Sequence, residues 1–242
     1  MRKENLYIAF LFLGIAVIYF APVVFSSQTF ASRDLYNFFT PRRFFAAESI
    51  RSGSIPLWNP YLASGVPFLA NHQSSLFYPL SIFYYVLPFQ VGLKYFIIVH
   101  YYLAGLFMFF LMRHWRYDCP SSITAGIVFM FGGYMISILD NLAFLTSAVW
   151  LPLIVLFFDR SLRGGQIRYS ILTGIIIGIQ ILGGDASCYI LSTFLFMVAY
   201  LLYYLFTEKG VSIREQGKIL CLFPLAWVIG IGVSAIQIVP FI

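Results

Sequence analysis

The sequence predicts an all-α integral membrane protein, a bundle of about seven transmembrane helices with one large extracytoplasmic loop after the first. Hydrophobic residues make up 61% of the 242 residues and charged residues only 10%, whereas a soluble domain carries about 25% charged residues. The apolar residues also gather in runs close to the about 20 residues that a helix needs to cross the hydrocarbon core. A chain with so little polar surface belongs in a lipid bilayer.

The first predicted span begins at Leu6, after the basic Arg2 and Lys3, and ends near Phe25. A cleaved signal peptide is the alternative interpretation. Its apolar region would be about 7–15 residues long and would end in a small-x-small cleavage site. This run is longer and is followed by Ser-Ser-Gln, which favours an uncleaved span.

Six further spans are predicted after a loop of about residues 26–75. A short apolar stretch, 76–88, is interrupted by Pro79, which favours a re-entrant or interfacial segment. The six spans are about 90–112, 120–139, 142–158 (stopped by Asp159 and Arg160), 169–182, 188–206 and 219–239. No internal repeat or second soluble region is visible, so residues 1–242 form a single predicted transmembrane domain.

The distribution of basic residues predicts a cytoplasmic N-terminus. With the N-terminus inside, most of the 15 Lys and Arg residues fall on inner segments, as the positive-inside rule requires. The short outer turns near residues 140 and 184 contain none. The net charge of +6 therefore reflects topology, and because no nucleic-acid-binding motif is present, we expect no nucleic-acid partner.

A short amphipathic helix is predicted within the large loop. Thr40 before Pro41 is typical of an N-cap and first helical position, and Gly53 is typical of the residue that follows a helix. The apolar residues between them can share one face and lie in the outer membrane interface: Phe44, Phe45, Ala47 and Ile50. The charged residues are expected to point elsewhere: Arg42, Arg43, Glu48 and Arg51.

The rest of the loop is predicted to be extended and turned, because four prolines forbid regular helix: Pro56, Pro60, Pro67 and Pro79. Side chains near them can bond the backbone groups that such a chain leaves free: Asn59, Asn71, His72 and Gln73. A long loop of this kind is costly to order, so we expect it to pack onto the helices. His100, inside the second span, is expected to be satisfied by a hydrogen bond to another helix.

The run SGSIPLWNPYLASGVPFLANHQSSLFYPL resembles the first outer loop of the YfhO-like bacterial membrane proteins. The later AVWLPLIVLFFDR, the GG before the sixth span and the closing SAIQIVPF are similar too, so the resemblance covers nearly the whole chain. It implies a GT-C-type glycosyltransferase of the bacterial cytoplasmic membrane. Such enzymes pass a sugar from a polyprenyl-phosphate donor to an envelope polymer or lipid acceptor on the outer face. Family members continue through further helices, so residues 1–242 are expected to be the N-terminal part of a longer architecture.

The resemblance also implies a catalytic base. In the GT-C fold an acid of the first outer loop takes the acceptor's hydroxyl proton, and Asp34 matches its place. The adjacent Arg33 is expected to favour the ionised carboxylate. Asp34 could instead only complement a helix N-terminus. Many GT-C enzymes carry a pair of acids in this loop, whereas Asp34 has no acidic neighbour, and we expect neither a metal nor another cofactor.

Cations and polar groups of the outer face are expected to bind the donor phosphate and substrate. Arg42, Arg43 or His72 could stabilise the departing phosphate, with Asn59 and Asp185 as further binding residues. Structural roles remain open: the two arginines could anchor the loop to lipid phosphates, and His72 could brace the loop. An acid such as Asp185 at an apolar helix end is costly unless it has a partner or a function.

Two other functions remain open. The first is a non-catalytic membrane subunit or inactive fragment, which would have a membrane protein partner. The second is a flippase or transporter of lipid-linked sugars, although transporters tend to show internal repeats and broken helices near the midplane.

Overall fold

The computed structural model describes residues 2–184, 188–207 and 213–241. The chain is 78% helical and nearly all-α. The α-helices within these residues are Arg2–Tyr19 (α1), Ala21–Val24 (α2), Thr40–Arg51 (α3), Ile82–Val86 (α4), Phe89–His114 (α5), Cys119–Phe131 (α6), Gly133–Ser137 (α7), Leu142–Ala148 (α8), Leu151–Gly164 (α9), Ile167–Leu182 (α10), Cys188–Thr207 (α11) and Ile213–Ile238 (α12).

Most of the remaining regular elements lie in or just after the large loop. A π-helical turn, Leu35–Phe39, leads directly into α3. Two short antiparallel strands follow, Trp58–Asn59 (β1) and Val66–Pro67 (β2), with Trp58 opposite Pro67. Single 3₁₀ turns lie at His72–Ser74 and Pro79–Ser81, and another at Val239–Phe241 ends the described chain.

Within the described residues, five segments are long and apolar enough to cross a bilayer, which confirms a membrane protein. They are Phe89–His114, Cys119–Ser137, Leu142–Gly164, Cys188–Thr207 and Gly217–Ile238. The other two predicted spans correspond to shorter apolar helices, Leu6–Tyr19 and Ile167–Leu182. The stretch 76–88 forms a 3₁₀ turn and the five-residue α4, which is too short to span a bilayer.

Two of the five segments are interrupted rather than continuous. The backbone of Gly132 is extended, with ψ 152°, which ends α6 and restarts the chain as α7. The segment 142–164 divides at Val149–Trp150, and Pro152 occupies the first turn of α9, where its missing N–H costs nothing. The N-terminal part of this segment, α8, is almost wholly buried.

Small residues bring α10 and α12 into close contact. A Cβ atom on Gly174 would lie 2.5 Å from the carbonyl oxygen of Ala226, and one on Gly178 would lie 2.6 Å from Cβ of Val233. On the facing helix, a Cβ atom on Gly230 would lie 2.8 Å from Cγ2 of Ile177. The glycines thus allow the backbone approach that is typical of packed membrane helices.

The start of α3 differs from the prediction. Thr40 has helical dihedral angles, and its hydroxyl donates to the carbonyl of Leu35 at 2.6 Å. The predicted N-cap role of Thr40 is therefore wrong, because the preceding π-helical turn already supplies helical backbone. The predicted end is confirmed. Gly53 has φ +78°, and the amides of Gly53 and Ser54 bond the carbonyls of Ile50 and Ser49, as in a Schellman motif.

The buried face of α3 also differs from the prediction. Arg43, Ala46 and Ala47 are its buried residues, whereas Phe44 is 48% exposed. The expectation that Arg43 points away from the buried face is wrong. The physical reason lies in the acceptors that meet its guanidinium, described next.

Candidate functional site

Three long polar side chains fasten the loop region to the helices. Lys94, at the start of α5, donates to the carbonyl oxygens of Val23 (2.9 Å) and Ser26 (3.2 Å). Gln237, near the end of α12, donates to the carbonyl of Leu69 at 2.7 Å. Arg51 bonds main-chain carbonyls at the end of α4: Tyr84, Tyr85 and Leu87. The expectation that the loop packs onto the helices is confirmed.

Arg43 is the centre of the loop's buried polar network. Its side chain is fully buried; Nη1 donates to the carbonyl of Ser74, and Nη2 donates to Oγ of Ser75 at 2.7 Å. The Ser75 hydroxyl in turn donates to the carbonyl of Gly183 at 2.6 Å. Among the residues that the structure describes, no carboxylate lies within ion-pair distance of Arg43. Neutral dipoles therefore stabilise this buried charge.

A second buried group joins the loop to two helices. The hydroxyl of Tyr78 lies 2.7 Å from Nε2 of His100, and the indole N–H of Trp150 donates to the same hydroxyl at 3.0 Å. Nδ1 of His100 donates to the carbonyl of Phe96 at 2.6 Å, so Nε2 of the neutral ring accepts from Tyr78. Burial raises the pKa of Tyr78, which keeps the phenol protonated as that donor. His100 is thus satisfied, although its partner outside its own helix lies in the stretch 76–88 that follows the loop rather than in another helix.

An open groove of about 680 Å³ lies along α3 and the turn after β1. Its walls combine apolar surface with carboxylate, guanidinium, amide and hydroxyl groups. They are formed by Asn37, Pro41, Arg42, Phe44, Phe45, Glu48, Ser49, Ser52, Asn59, Tyr61 and Leu62. The volume falls within the about 300–1,000 Å³ typical of ligand sites, which makes this groove the candidate functional site.

Arg42 is the cation of the groove. It is held by the π-helical turn before α3, since Nη1 donates to the carbonyl of Phe38 at 3.0 Å and the guanidinium lies 3.4 Å from the centre of the Phe38 ring. Partial burial lowers the pKa of Arg42, yet an arginine stays charged at neutral pH. The arrangement leaves a pre-oriented cation beside the groove, suited to an anionic ligand.

Asn59 shapes the part of the groove that is formed by the turn after β1. Its side-chain oxygen accepts from the amide of Tyr61 at 2.9 Å, an Asx turn that directs the chain after β1. Asn71 makes the same bond to the amide of Gln73. The predicted backbone-bonding roles of Asn59 and Asn71 are confirmed. The turn leaves Tyr61 84% exposed, so an exposed aromatic ring is present with Arg42 in the lining of the groove.

The structure separates the residues that the sequence predicts as one site. Arg42 and Asn59 line the groove, whereas Arg43 is buried behind α3. Asp34 is exposed at the start of the π-helical turn and makes no capping bond to it, and the exposed Arg33 precedes it with φ +21°; neither lines the groove. His72 begins a 3₁₀ turn. Asp185 lies outside the described residues.

Sequence reasoning missed two kinds of residue. Glu48, taken only as part of a polar face, lines the groove and pairs with Arg51 at 3.0 Å. Ser75 was not singled out at all, although it links Arg43 to the end of α10. The periodicity of α3 could have indicated Glu48, because it lies three residues after Phe45 and four before Ser52, which also line the groove. No local signal indicates Ser75, since its partners are distant in sequence.

No family model, curated protein or solved structure matches the chain. The resemblance to the YfhO-like proteins therefore stays a prediction. Within the described parts of the chain, no group of three or more His, Cys, Asp or Glu side chains could hold a metal ion.

Proposed function

We propose that this chain is a GT-C-like glycosyltransferase of the bacterial cytoplasmic membrane, with about seven spans and a cytoplasmic N-terminus. It would transfer a sugar from a polyprenyl-phosphate donor to an envelope polymer or lipid acceptor at the outer face. The observation that carries the proposal is the groove along α3. It brings a cation, hydrogen-bonding groups and exposed aromatic surface together in a loop fastened to membrane helices.

The groove supplies groups suited to such a donor. Arg42 can pair with the phosphate by charge-assisted hydrogen bonds, and the amide of Asn37 and the hydroxyl of Ser49 can bond sugar hydroxyls. The ring of Tyr61 offers an apolar face to the sugar, and Phe44 offers apolar surface to the lipid. Stabilising the departing phosphate is the main electrostatic demand of this transfer, and Arg42 is the cation placed to meet it.

Two carboxylates compete for the role of base. The resemblance implies Asp34, which is exposed and can approach an acceptor from solvent. Glu48 lies in the groove itself but is held in an ion pair by Arg51. We retain Asp34 as the proposed base and treat Glu48 as the alternative. One carboxylate is enough to accept the hydroxyl proton, so the two residues are competing candidates for one role.

The test is transfer from polyprenyl-phosphate sugars by the purified chain in nanodiscs. We expect Arg42→Gln to lower kcat/KM by about 10–100-fold, since a hydrogen bond to a charged group contributes about 1.5–3 kcal/mol. The control Tyr36→Phe changes an exposed ring outside the groove and should leave transfer unchanged. Wild-type activity in Arg42→Gln would exclude the groove as the donor site.

The base is tested by the pair Asp34→Asn and Glu48→Gln in the same assay. We expect Asp34→Asn to abolish transfer while the protein keeps its thermal stability. Retained transfer in Asp34→Asn, with loss in Glu48→Gln, would assign the base to Glu48 instead.

One observation favours a second candidate, a non-catalytic subunit that binds the lipid-linked sugar for a membrane protein partner. Asp34 lies outside the residues that line the groove, so binding and catalysis need not coincide in this chain. This function predicts that Arg42→Gln weakens donor binding, while neither the wild type nor any variant transfers sugar alone.

A further inference from the structure

A second cleft lies at the other end of the bundle. The 26 residues of α5 separate the loop from this end by about 39 Å, at about 1.5 Å per residue. The cleft has a volume of about 730 Å³ and lies between α1, α5, α6 and α9. It is lined by Glu4, Tyr7, Ile8, Phe109, Phe110, Arg113, His114, Cys119, Leu153, Leu156, Phe157 and Arg160.

Beside the cleft, Asp159 is buried in a polar cluster. Its side chain is completely inaccessible, and Arg163 donates through Nε to both carboxylate oxygens, at 2.9 and 3.0 Å. The hydroxyl of Tyr200 donates to Oδ1 at 2.7 Å, and Nε2 of His114 donates to Oδ2 at 2.7 Å. The negative charge of Asp159 is therefore already matched by the cation of Arg163.

Arg160 lines the cleft beside this cluster, and its positive charge is not matched by Asp159, which pairs with Arg163. Its Nε donates to Nδ1 of His114 at 3.5 Å, and because the other ring nitrogen donates to Asp159, this histidine is the neutral tautomer. Among the described residues, Arg113 donates to the main-chain carbonyl of Tyr117, at 2.6 Å. Over the described parts of the chain, neither arginine has a carboxylate within ion-pair distance. The two cations outnumber Glu4, the one acid among the lining residues.

We propose that this cleft binds an anionic membrane phospholipid, with the phosphate between Arg113 and Arg160 and an acyl chain against the apolar wall. The positive charge of the two arginines favours an anion. The apolar wall favours a lipid over a soluble phosphate, and it is formed by Tyr7, Ile8, Phe109, Leu153, Leu156 and Phe157. Basic recesses between membrane helices at the headgroup level suit lipid phosphates. This site is independent of the groove along α3.

The first test is lipid-dependent thermal stability of the full chain in an uncharged detergent. We expect dioleoylphosphatidylglycerol to raise Tm, dioleoylphosphatidylcholine to have little effect, and Arg160→Gln to weaken phosphatidylglycerol binding by about tenfold or more. The matched control is Arg168→Gln, which changes an exposed arginine stacked on Tyr169 outside the cleft. Equal stabilisation by both lipids, or unchanged affinity in Arg160→Gln, overturns the proposal. Displacement of the lipid by millimolar inorganic phosphate would also overturn it, by assigning the site to a soluble anion.

The second test uses the cysteine in the cleft, and its main comparison is made in the wild-type protein. Cys119 lines the cleft, whereas the exposed Cys188 and Cys221 do not. Phosphatidylglycerol should slow alkylation of Cys119 by N-ethylmaleimide, relative to the two reference cysteines and to phosphatidylcholine. Equal protection by both lipids would contradict an anion-selective site, and Arg113→Gln should remove the selective protection.

Discussion

The two ends of the bundle bury opposite charges in opposite ways. At the loop end, the cation of Arg43 is held by a carbonyl and a hydroxyl, with no acid within ion-pair distance among the described residues. At the other end, the anion of Asp159 is held by Arg163, whose side chain is 51% exposed, and by two further donors. Arg43 is a buried ion stabilised by neutral dipoles, whereas Asp159 belongs to an ion pair whose cation is partly exposed to solvent.

The difference predicts how each centre responds to damage. The carbonyl and hydroxyl groups that bond Arg43 are fixed in the folded loop and cannot turn to solvent. The loss of Arg43 or of an acceptor therefore leaves a buried polar group without its hydrogen bond. Arg163 can turn to water when its partner is lost, which lowers the cost. The loop end should therefore act as a rigid brace for the groove, and the other end as an adjustable surface.

The largest effect is expected from Arg43→Met, which keeps an unbranched apolar stem in the site but removes both hydrogen bonds. The unfolding free energy in mixed micelles should fall by about 4 kcal/mol, because each bond to a charged group contributes about 1.5–3 kcal/mol. Arg43→Lys should recover part of the loss. A fall below about 1 kcal/mol would show that the brace contributes little.

Asp159→Leu should cost less, about 3 kcal/mol at low salt, because the exposed Arg163 becomes solvated after its partner is removed. Added salt should reduce the difference in unfolding free energy between wild type and Asp159→Leu. The difference between wild type and Arg43→Met should persist. Salt titration of both unfolding curves checks this. The same salt response in both variants would remove the distinction between the two centres.

Ser75→Ala should cost about 2 kcal/mol, because Ser75 accepts from Arg43 and donates to Gly183. The neighbouring Ser74 is the matched control. Its hydroxyl is buried and has no hydrogen-bond partner in the described structure, so Ser74→Ala should be neutral or slightly stabilising. A comparable loss in both variants would indicate that burial of the segment, rather than the bond network, sets its stability.

The smallest effect is expected from Tyr200→Phe. It removes one donor to Asp159 and leaves the Arg163 pair in place, so the unfolding free energy should fall by about 1 kcal/mol. Measured in the Asp159→Leu background, the same change should have almost no effect. A double-mutant cycle of these two residues tests that coupling.

The sequence predicted what depends on local composition. The apolar runs located the five segments long enough to cross a bilayer, and Gly53 located the end of α3, since both signals lie within a few residues of the feature they mark. The burial of Arg43 could not be predicted, because its acceptors are 31 and 32 residues away. The sequence marked Asp159 only as the polar end of a span. Its buried cluster could not be predicted, because its partner His114 lies 45 residues earlier.

The candidate site was predicted in part for the same reason. Arg42 and Asn59 were expected to bind substrate and do line one groove. The position of Asp34 outside that lining depends on the π-helical turn before α3, which no sequence pattern predicted. Whether Asp34 is the base stays a prediction that the proposed substitutions can decide.

The short length of α10 has a consequence for the surrounding bilayer. Its 16 residues cover about 24 Å, against a hydrocarbon core of about 30 Å. Its partner α12 has 26 residues, so the two packed helices require different thicknesses. If α10 crosses the membrane, hydrophobic mismatch favours thinner lipid beside it. The chain should then be most stable in bilayers of shorter acyl chains. Because Ser75 contacts the end of α10, membrane thickness would also affect the helix to which the loop is bonded.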